Sequence, residues 1–275
     1  IMKLPLITSA PHHSESFDEL SHRVALDWWQ IGEFSDKYTG DTAHHPKALG
    51  NLKAKMTRGL GSLNQPRDHS LFKHKDFHGN TIWKDGMHLT EEEKTFYFET
   101  HYDPYYAEIT KLIAESKNHG FDKVILWDHH DTGDFDQKTG KRDRKLPGEN
   151  RTMPSFILSN LGLPHTGEVD PSIGHNASPA HFIQSVQTFI SEEFGFEKTE
   201  VEINTSYTGG HIMQHFGNPN NNFGNKVVGI QIEYNRGFIM DQATREPYWD
   251  TIKDFNKKFN RVMEKASELV MKLEV

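Results

Sequence analysis

Apolar and polar positions along this chain fall into blocks that read as strands separated by helices. LPLITSAP (residues 4–11) is a short apolar run stopped by Pro11, the pattern of a buried strand. Over 17–38, Phe17, Leu20, Val24, Leu26, Trp28 and Ile31 recur at the spacing of the apolar side of one or two helices. Residues 39–88 are rich in Gly, His, Asn and Lys and predict loops with one or two strands. Thr90 with Glu93 three residues on forms a capping-box pattern. It opens a helix that runs in two parts to about Ser116, bent near Pro104. After Gly120, KVILW (123–127) is a strand, and the stretch 131–155 is too charged to be core. A helix over 179–194 leads to a strand at 200–206. KVVGIQIEYN (226–235) is the strongest strand of all, and a last helix over about 247–273 carries Trp249, Ile252, Phe255, Phe259, Val262 and Leu269 on one stripe. Strands alternating with helices predict a single α/β sandwich, with residues 1–275 forming one domain.

Composition narrows the chemistry. The 275 residues contain 18 histidines and no cysteine, so disulfides, thiolate metal sites and a cysteine nucleophile are excluded. Any transition-metal site must use imidazole and carboxylate. A net charge of −8 opposes a nucleic-acid binder, whose affinity rests on a basic face. No apolar run approaches the ~18–20 residues that span a bilayer. The N-terminal stretch has one lysine and too short an apolar segment for a signal peptide, so a cytoplasmic location is expected.

Four polar clusters sit at predicted strand ends, where ligands of open α/β sheets gather. They are PHHSE (11–15), DHHD (128–131), Glu233 within GIQIEYN, and TGGH (208–211) with His215 four residues on. Taken singly each has an ordinary explanation. A histidine after a strand is more often a surface or capping residue than a ligand. Of two adjacent strand histidines, His129 and His130, one faces each side, so one at most serves a site. A carboxylate in a β-branched strand is expensive to bury unless paired, so Glu233 either salt-bridges Arg236 or Arg58 or works in a site. DFDQKTGKRDRK begins like a calcium loop, but Lys138 and Thr139 stand where an oxygen ligand and a glycine are needed.

In order, these clusters resemble the N-formylglutamate amidohydrolases. SAPHHS is similar to the family's strand followed by Pro-His-Ser-Gly, LDWWQIGEF to its Asp-Trp segment, and TRGLGSLNQP to Arg-x-x-x-Asp-Leu-Asn-Arg-Pro. HYDPYYAEI, ILWDHHD, SYTGGHIMQHFGNP and GIQIEYNRGFIM continue the series to about residue 245. The resemblance implies a three-layer α/β/α sandwich with a mixed central sheet, like that of zinc carboxypeptidases. It implies one zinc ion, which an N/O donor set could exchange for iron, cobalt or manganese. His12 and His130 would be ligands, with Asp27 as the carboxylate; Glu15, at HxxE spacing from His12, is the alternative. Asp128 would orient an imidazole. Glu233 would be general base and acid, Arg58 would stabilise the oxyanion, and Asn64, Gln65, Gly210, His211 and His215 would bind substrate, an N-acyl amino acid.

Two departures bear on substrate. The family's Asp-Leu-Asn-Arg is Ser62-Leu63-Asn64-Gln65 here, and its Thr-Arg-His is Met213-Gln214-His215. Glutamine does not replace a bidentate guanidinium–carboxylate fork. Arg236, or less readily the basic stretch Lys141–Lys145, could compensate. A manganese phosphoesterase, suggested by the letters DHH, and a non-catalytic binding protein on the same fold are the competing readings.

Overall fold

A computed structural model describes residues 2–134 and 153–273. Its six strands are β1 (Leu6–Ala10), β2 (Gly50–Lys53), β3 (Val124–Thr132), β4 (Phe156–Ser159), β5 (Val201–Ile203) and β6 (Val227–Asn235). They form one sheet in the order β2-β1-β3-β6-β4-β5. Neighbours are parallel throughout except at β4–β6, which pair antiparallel, so the sheet is mixed. The helices are α1 (Trp28–Glu33), α2 (Thr39–Thr42), α3 (Glu91–Tyr97), α4 (Asp103–Glu115), α5 (Ala180–Phe194), α6 (His211–Phe216) and α7 (Trp249–Val270).

Alternation along the two central strands divides the apolar residues between two layers. Val124, Leu126 and Val227 pack with Ile109 and Leu112 of α4 and with Ile212 and Phe216 of α6. Ile125, Trp127, Ile230, Ile232 and Tyr234 face the other way, onto Phe182 and Val186 of α5 and Phe255, Phe259 and Val262 of α7. The result is a three-layer α/β/α sandwich. Among the described residues, no helix is long and apolar enough to cross a membrane.

Local chemistry explains most boundaries. The capping box at Thr90 is formed, with Glu93 N–H donating to Thr90 Oγ1 and Thr90 N–H to Glu93 Oε2, at 3.2 and 2.8 Å. The helix it opens continues through a π turn at Phe98–Tyr102 into α4, with Pro104 in the first turn of α4. Of the one or two helices expected over 17–38, a 3₁₀ turn at Asp18–Arg23 and the six-residue α1 form. Phe17, Val24 and Leu26 are buried from irregular chain instead, while Trp28 is 64% exposed. The strand expected at 200–206 stops at Ile203, because Asn204 takes a positive φ of 49° and its side chain ties to Asn160.

Candidate metal centre and its cavity

The chain leaves β1 through Pro11 into His12, and β1 lies between β2 on one side and β3 on the other. That reversal opens a crevice at the carboxyl ends of the strands. Along β3, Asp128, His130 and Thr132 share one face. The parallel register sets Asp128 opposite Gln231, His130 opposite Glu233 and Thr132 opposite Asn235. His129 points to the α7 layer, where Trp127 Nε1 donates to its Nδ1 at 3.0 Å and Phe259 meets its ring edge-on at 4.5 Å. Burial pushes that imidazole down to about 3, a neutral core histidine.

His12, Asp36 and His130 converge, all buried, with one ligand atom from each lying within 4.8 Å of the others. Asp36 Oδ2 stands 3.3 Å from His12 Nδ1 and 3.1 Å from His130 Nδ1. The outward nitrogens are held from behind: His12 Nε2 by Ser62 Oγ at 3.1 Å, His130 Nε2 by Asp128 Oδ2 at 3.0 Å. Asp128 is itself fixed by Ser9 Oγ, which donates to it at 2.6 Å and lies 2.9 Å from Tyr105 Oη. Two imidazoles whose inner nitrogens face one carboxylate oxygen, with outer nitrogens held by Ser62 and Asp128, could hold a divalent metal ion. Burial, with Arg58 nearby, pushes His12 down to about 3, so its ring stays neutral. Burial disfavours charge on His130 too, but Asp128 and Asp36 outweigh it and raise that imidazole well above its ordinary value. The residues present fit a metal ion.

The carboxylate is not the expected one. Asp27 is exposed and serves as N-cap of α1, accepting from Gln30 N at 2.8 Å. The alternative, Glu15, pairs with Lys37 at 2.7 Å and Arg245 at 3.3 Å. Asp36 reaches the histidines because its backbone N–H donates to His12 O at 2.8 Å, folding the end of the α1 segment back onto the exit of β1. Nothing local in the sequence signals this long-range bond.

A cavity of about 610 Å³ opens over the cluster, lined among others by Arg58, Asn64, Gln65, Gly210 and Glu233. Glu233 accepts from Thr132 Oγ1 at 3.0 Å and Gln231 Nε2 at 3.2 Å. Burial pushes its carboxyl up to about 8. Arg58 projects between Phe34 and Phe77, its guanidinium 5.6 and 4.7 Å from their ring centres. Asn64 joins two elements: its Oδ1 accepts from Ile212 N at 2.9 Å and its Nδ2 lies 3.5 Å from His130 Nε2. Gly210 leaves room for that amide, since a Cβ there would lie 2.1 Å from Asn64 Nδ2. Gly210→Ala should therefore displace Asn64 and lower kcat/KM by up to about 10²-fold. Stability should fall by about 1–3 kcal/mol as Asn64 loses the Ile212 N–H, with the fold retained, and a variant with wild-type kinetics would remove Asn64 from the site.

Two expected substrate contacts are placed elsewhere. His211 and His215, one turn apart on α6, line a separate cavity of about 480 Å³ with His175 and Gln214. Their rings lie 6.1 and 5.3 Å from Tyr106. Gly210 N, held by Gln231 Oε1 at 2.8 Å, starts the helix at the rim of the first cavity and turns these side chains out of it. Arg236 touches the first cavity, but its guanidinium is engaged by Asp131 at 2.5 Å and Glu33 at 3.1 Å and is not available to a substrate carboxylate. The basic stretch Lys141–Lys145 lies outside the described residues. Conversely, Asp36, Ser62, Thr132, Gln231 and Tyr207 belong to the site or its lining without having been expected there.

A sequence model described as N-formylglutamate amidohydrolase matches residues 4–240. The chain is 22% identical over 262 residues to an N-formylglutamate deformylase of Pseudomonas putida, covering 90% of this chain and 85% of that protein. A deformylase of the same name from Pseudomonas aeruginosa is also 22% identical, over 266 residues, with 90% and 86% covered. The fold is shared with the crystal structure of N-formylglutamate amidohydrolase from Ralstonia eutropha JMP134, at a TM-score of 0.72 and 17% identity over 98% of this chain and 96% of that one. With a family match over most of its length and that fold around the cavity, the chain belongs to the N-formylglutamate amidohydrolase family, and is an amidohydrolase.

Proposed function

We propose that the chain hydrolyses the amide bond of an N-formyl or N-acyl amino acid such as N-formylglutamate, with a divalent metal, zinc in the first instance, at His12, Asp36 and His130. The observation that carries this reading is the placement of Glu233 directly across from His130 on the neighbouring strand, in the cavity that covers the donor cluster. An ion held by His12 Nδ1, Asp36 Oδ2 and His130 Nδ1 would supply Lewis acidity, lowering the pKa of water to about 7 and polarising a carbonyl. Glu233 takes the proton of the attacking water and returns it to the departing amine nitrogen. With no ion bound, burial pushes this carboxyl up to about 8; the positive charge of an ion would lower it toward the carboxylate form that accepts the first proton. Arg58 opposes the negative charge that develops on the former carbonyl oxygen. Asn64 and Gln65 orient the amide, and the rings of Phe34 and Phe77 hold Arg58 in place.

The cavity also bears on selectivity. Gln65 faces it where a guanidinium could have gripped a side-chain carboxylate, and Arg236 is already bound to acids. A charge-assisted fork contributes about 1.5–3 kcal/mol, roughly 10- to 150-fold. Without one, N-formylglutamate and N-formylglutamine should be hydrolysed with kcat/KM values within about tenfold of each other. Kinetics on the two substrates, with metal content measured on the same preparation, test the reading. No hydrolysis of any N-formyl or N-acyl amino acid by a metal-loaded protein would overturn it, and a preference for the glutamate above 10²-fold would overturn the selectivity argument alone.

A further inference from the structure

The acids beneath the cavity are arranged around one guanidinium. Arg236 is 3% exposed at its side chain, as is Glu33, with Asp36 at 4% and Asp131 at 0%. Its Nε donates to Asp131 Oδ1 at 2.5 Å and its Nη1 to Glu33 Oε1 at 3.1 Å. Nη2 donates to the carbonyl of Ser35, the residue before Asp36, at 2.8 Å, and lies 3.5 Å from Asp36 Oδ1. Nη1 also reaches Gly32 O at 3.4 Å, so the same fork holds the backbone on both sides of Phe34. Arg245 stands behind it, 3.4 Å from Glu33.

These contacts divide the Asp36 carboxylate. Oδ1 is turned to the guanidinium, and Oδ2 to the two imidazole nitrogens. We infer that Arg236 is a positioning residue, which holds Asp36 so that a single oxygen faces the metal site while the other is kept out of it. This inference rests on the proposed metal centre. The planar fork is what permits the role: a lysine ammonium is one point donor and cannot reach Asp131, Glu33 and Ser35 O from one position. Without the fork, the Asp36 carboxylate is free to rotate and to offer both oxygens, and the segment that carries it loses two backbone anchors.

The test uses the full chain with zinc alone and with cobalt(II) alone. Arg236→Lys should fold, by circular dichroism and thermal unfolding. It should bind zinc about 10- to 100-fold more weakly in competition with a chromogenic chelator, the range found for partners that orient metal ligands. Its cobalt(II) form should show a changed visible absorption spectrum, reporting altered coordination, and kcat should fall more than KM rises. Should the lysine variant not fold, Arg236→Met combined with Asp131→Asn removes the buried pair together and leaves no orphan charge from it, so it can be read in its place. Wild-type zinc affinity and an unchanged cobalt(II) spectrum in either folded variant would overturn the inference. Failure of both to fold would also overturn it, by assigning Arg236 to the fold alone. A wild-type chain that binds neither ion overturns the metal centre itself, a failure distinguishable because it appears before any substitution is made.

Discussion

Glu233→Gln should give a folded, metal-binding protein whose kcat is lower by roughly 10²–10⁴-fold, the range for loss of a general acid–base. The substitution is nearly isosteric, and its surroundings accept it. Gln231 Nε2 can still donate to the retained oxygen, and the Thr132 hydroxyl can rotate to accept from the new amide. The same change should stabilise the metal-free protein. Burial raises the Glu233 carboxyl to about 8 in the folded state, against an ordinary value of 4.5. A raised carboxyl favours the fold fully below 4.5, and that contribution is lost as the pH climbs through 8. Wild type should therefore weaken between about pH 5 and 8 relative to the glutamine variant. The difference should reach on the order of a few kcal/mol, at roughly 1.4 kcal/mol for each pH unit. Chemical denaturation of both metal-free proteins across that range measures it. Parallel stability curves would show that Glu233 is not held protonated by its burial. Unimpaired turnover in the variant would remove it from the chemistry.

The second large effect separates Asp36 from Asp27. Asp36→Asn removes the charge shared by two imidazoles, and metal content should fall from about one ion per chain to a small fraction, with activity falling alongside. Asp27→Ala should retain the metal and its activity. It should lose only about 1 kcal/mol of stability, as expected when an exposed N-cap is truncated. Elemental analysis with thermal unfolding of the two variants distinguishes them. Metal retained by Asp36→Asn and lost by Asp27→Ala would reverse the assignment.

How much of this was legible in the sequence depended on how far each residue's position is set by its neighbours. His130 and Glu233 lie on long apolar strands, where alternation alone decides which face a side chain takes, and the strand-end clusters flagged both. His12 follows a strand that Pro11 visibly ends. Asp36 carried no such mark: its place depends on a backbone bond to a residue 24 positions earlier, and the Asp-Trp pair nearer the motif drew attention to a helix cap instead. Arg236 follows closely on Glu233 in sequence and lines the same cavity, but acids distant in sequence take up its guanidinium. After β6 ends at Asn235 the chain enters a 3₁₀ turn, which carries the guanidinium beneath the cavity toward Glu33 and Asp131. His211 and His215 sit beside Gly210 in sequence, yet a helix begins there and its direction puts them around a different cavity.

The alternation along β3 leaves no slack in its length. His129 belongs to the aromatic layer around Phe259 and His130 to the donor cluster, and the two differ by one position. Removing or adding one residue between Val124 and Asp128, with Val124 held in register beside Val227, would shift every later position by one and turn His130 to the opposite face. His130 would leave Asp36 and Asp128 for the apolar layer around Phe259, and the donor cluster would lose one of its imidazoles. The strand can therefore change its side chains, but not its length, without moving His130 out of the donor cluster.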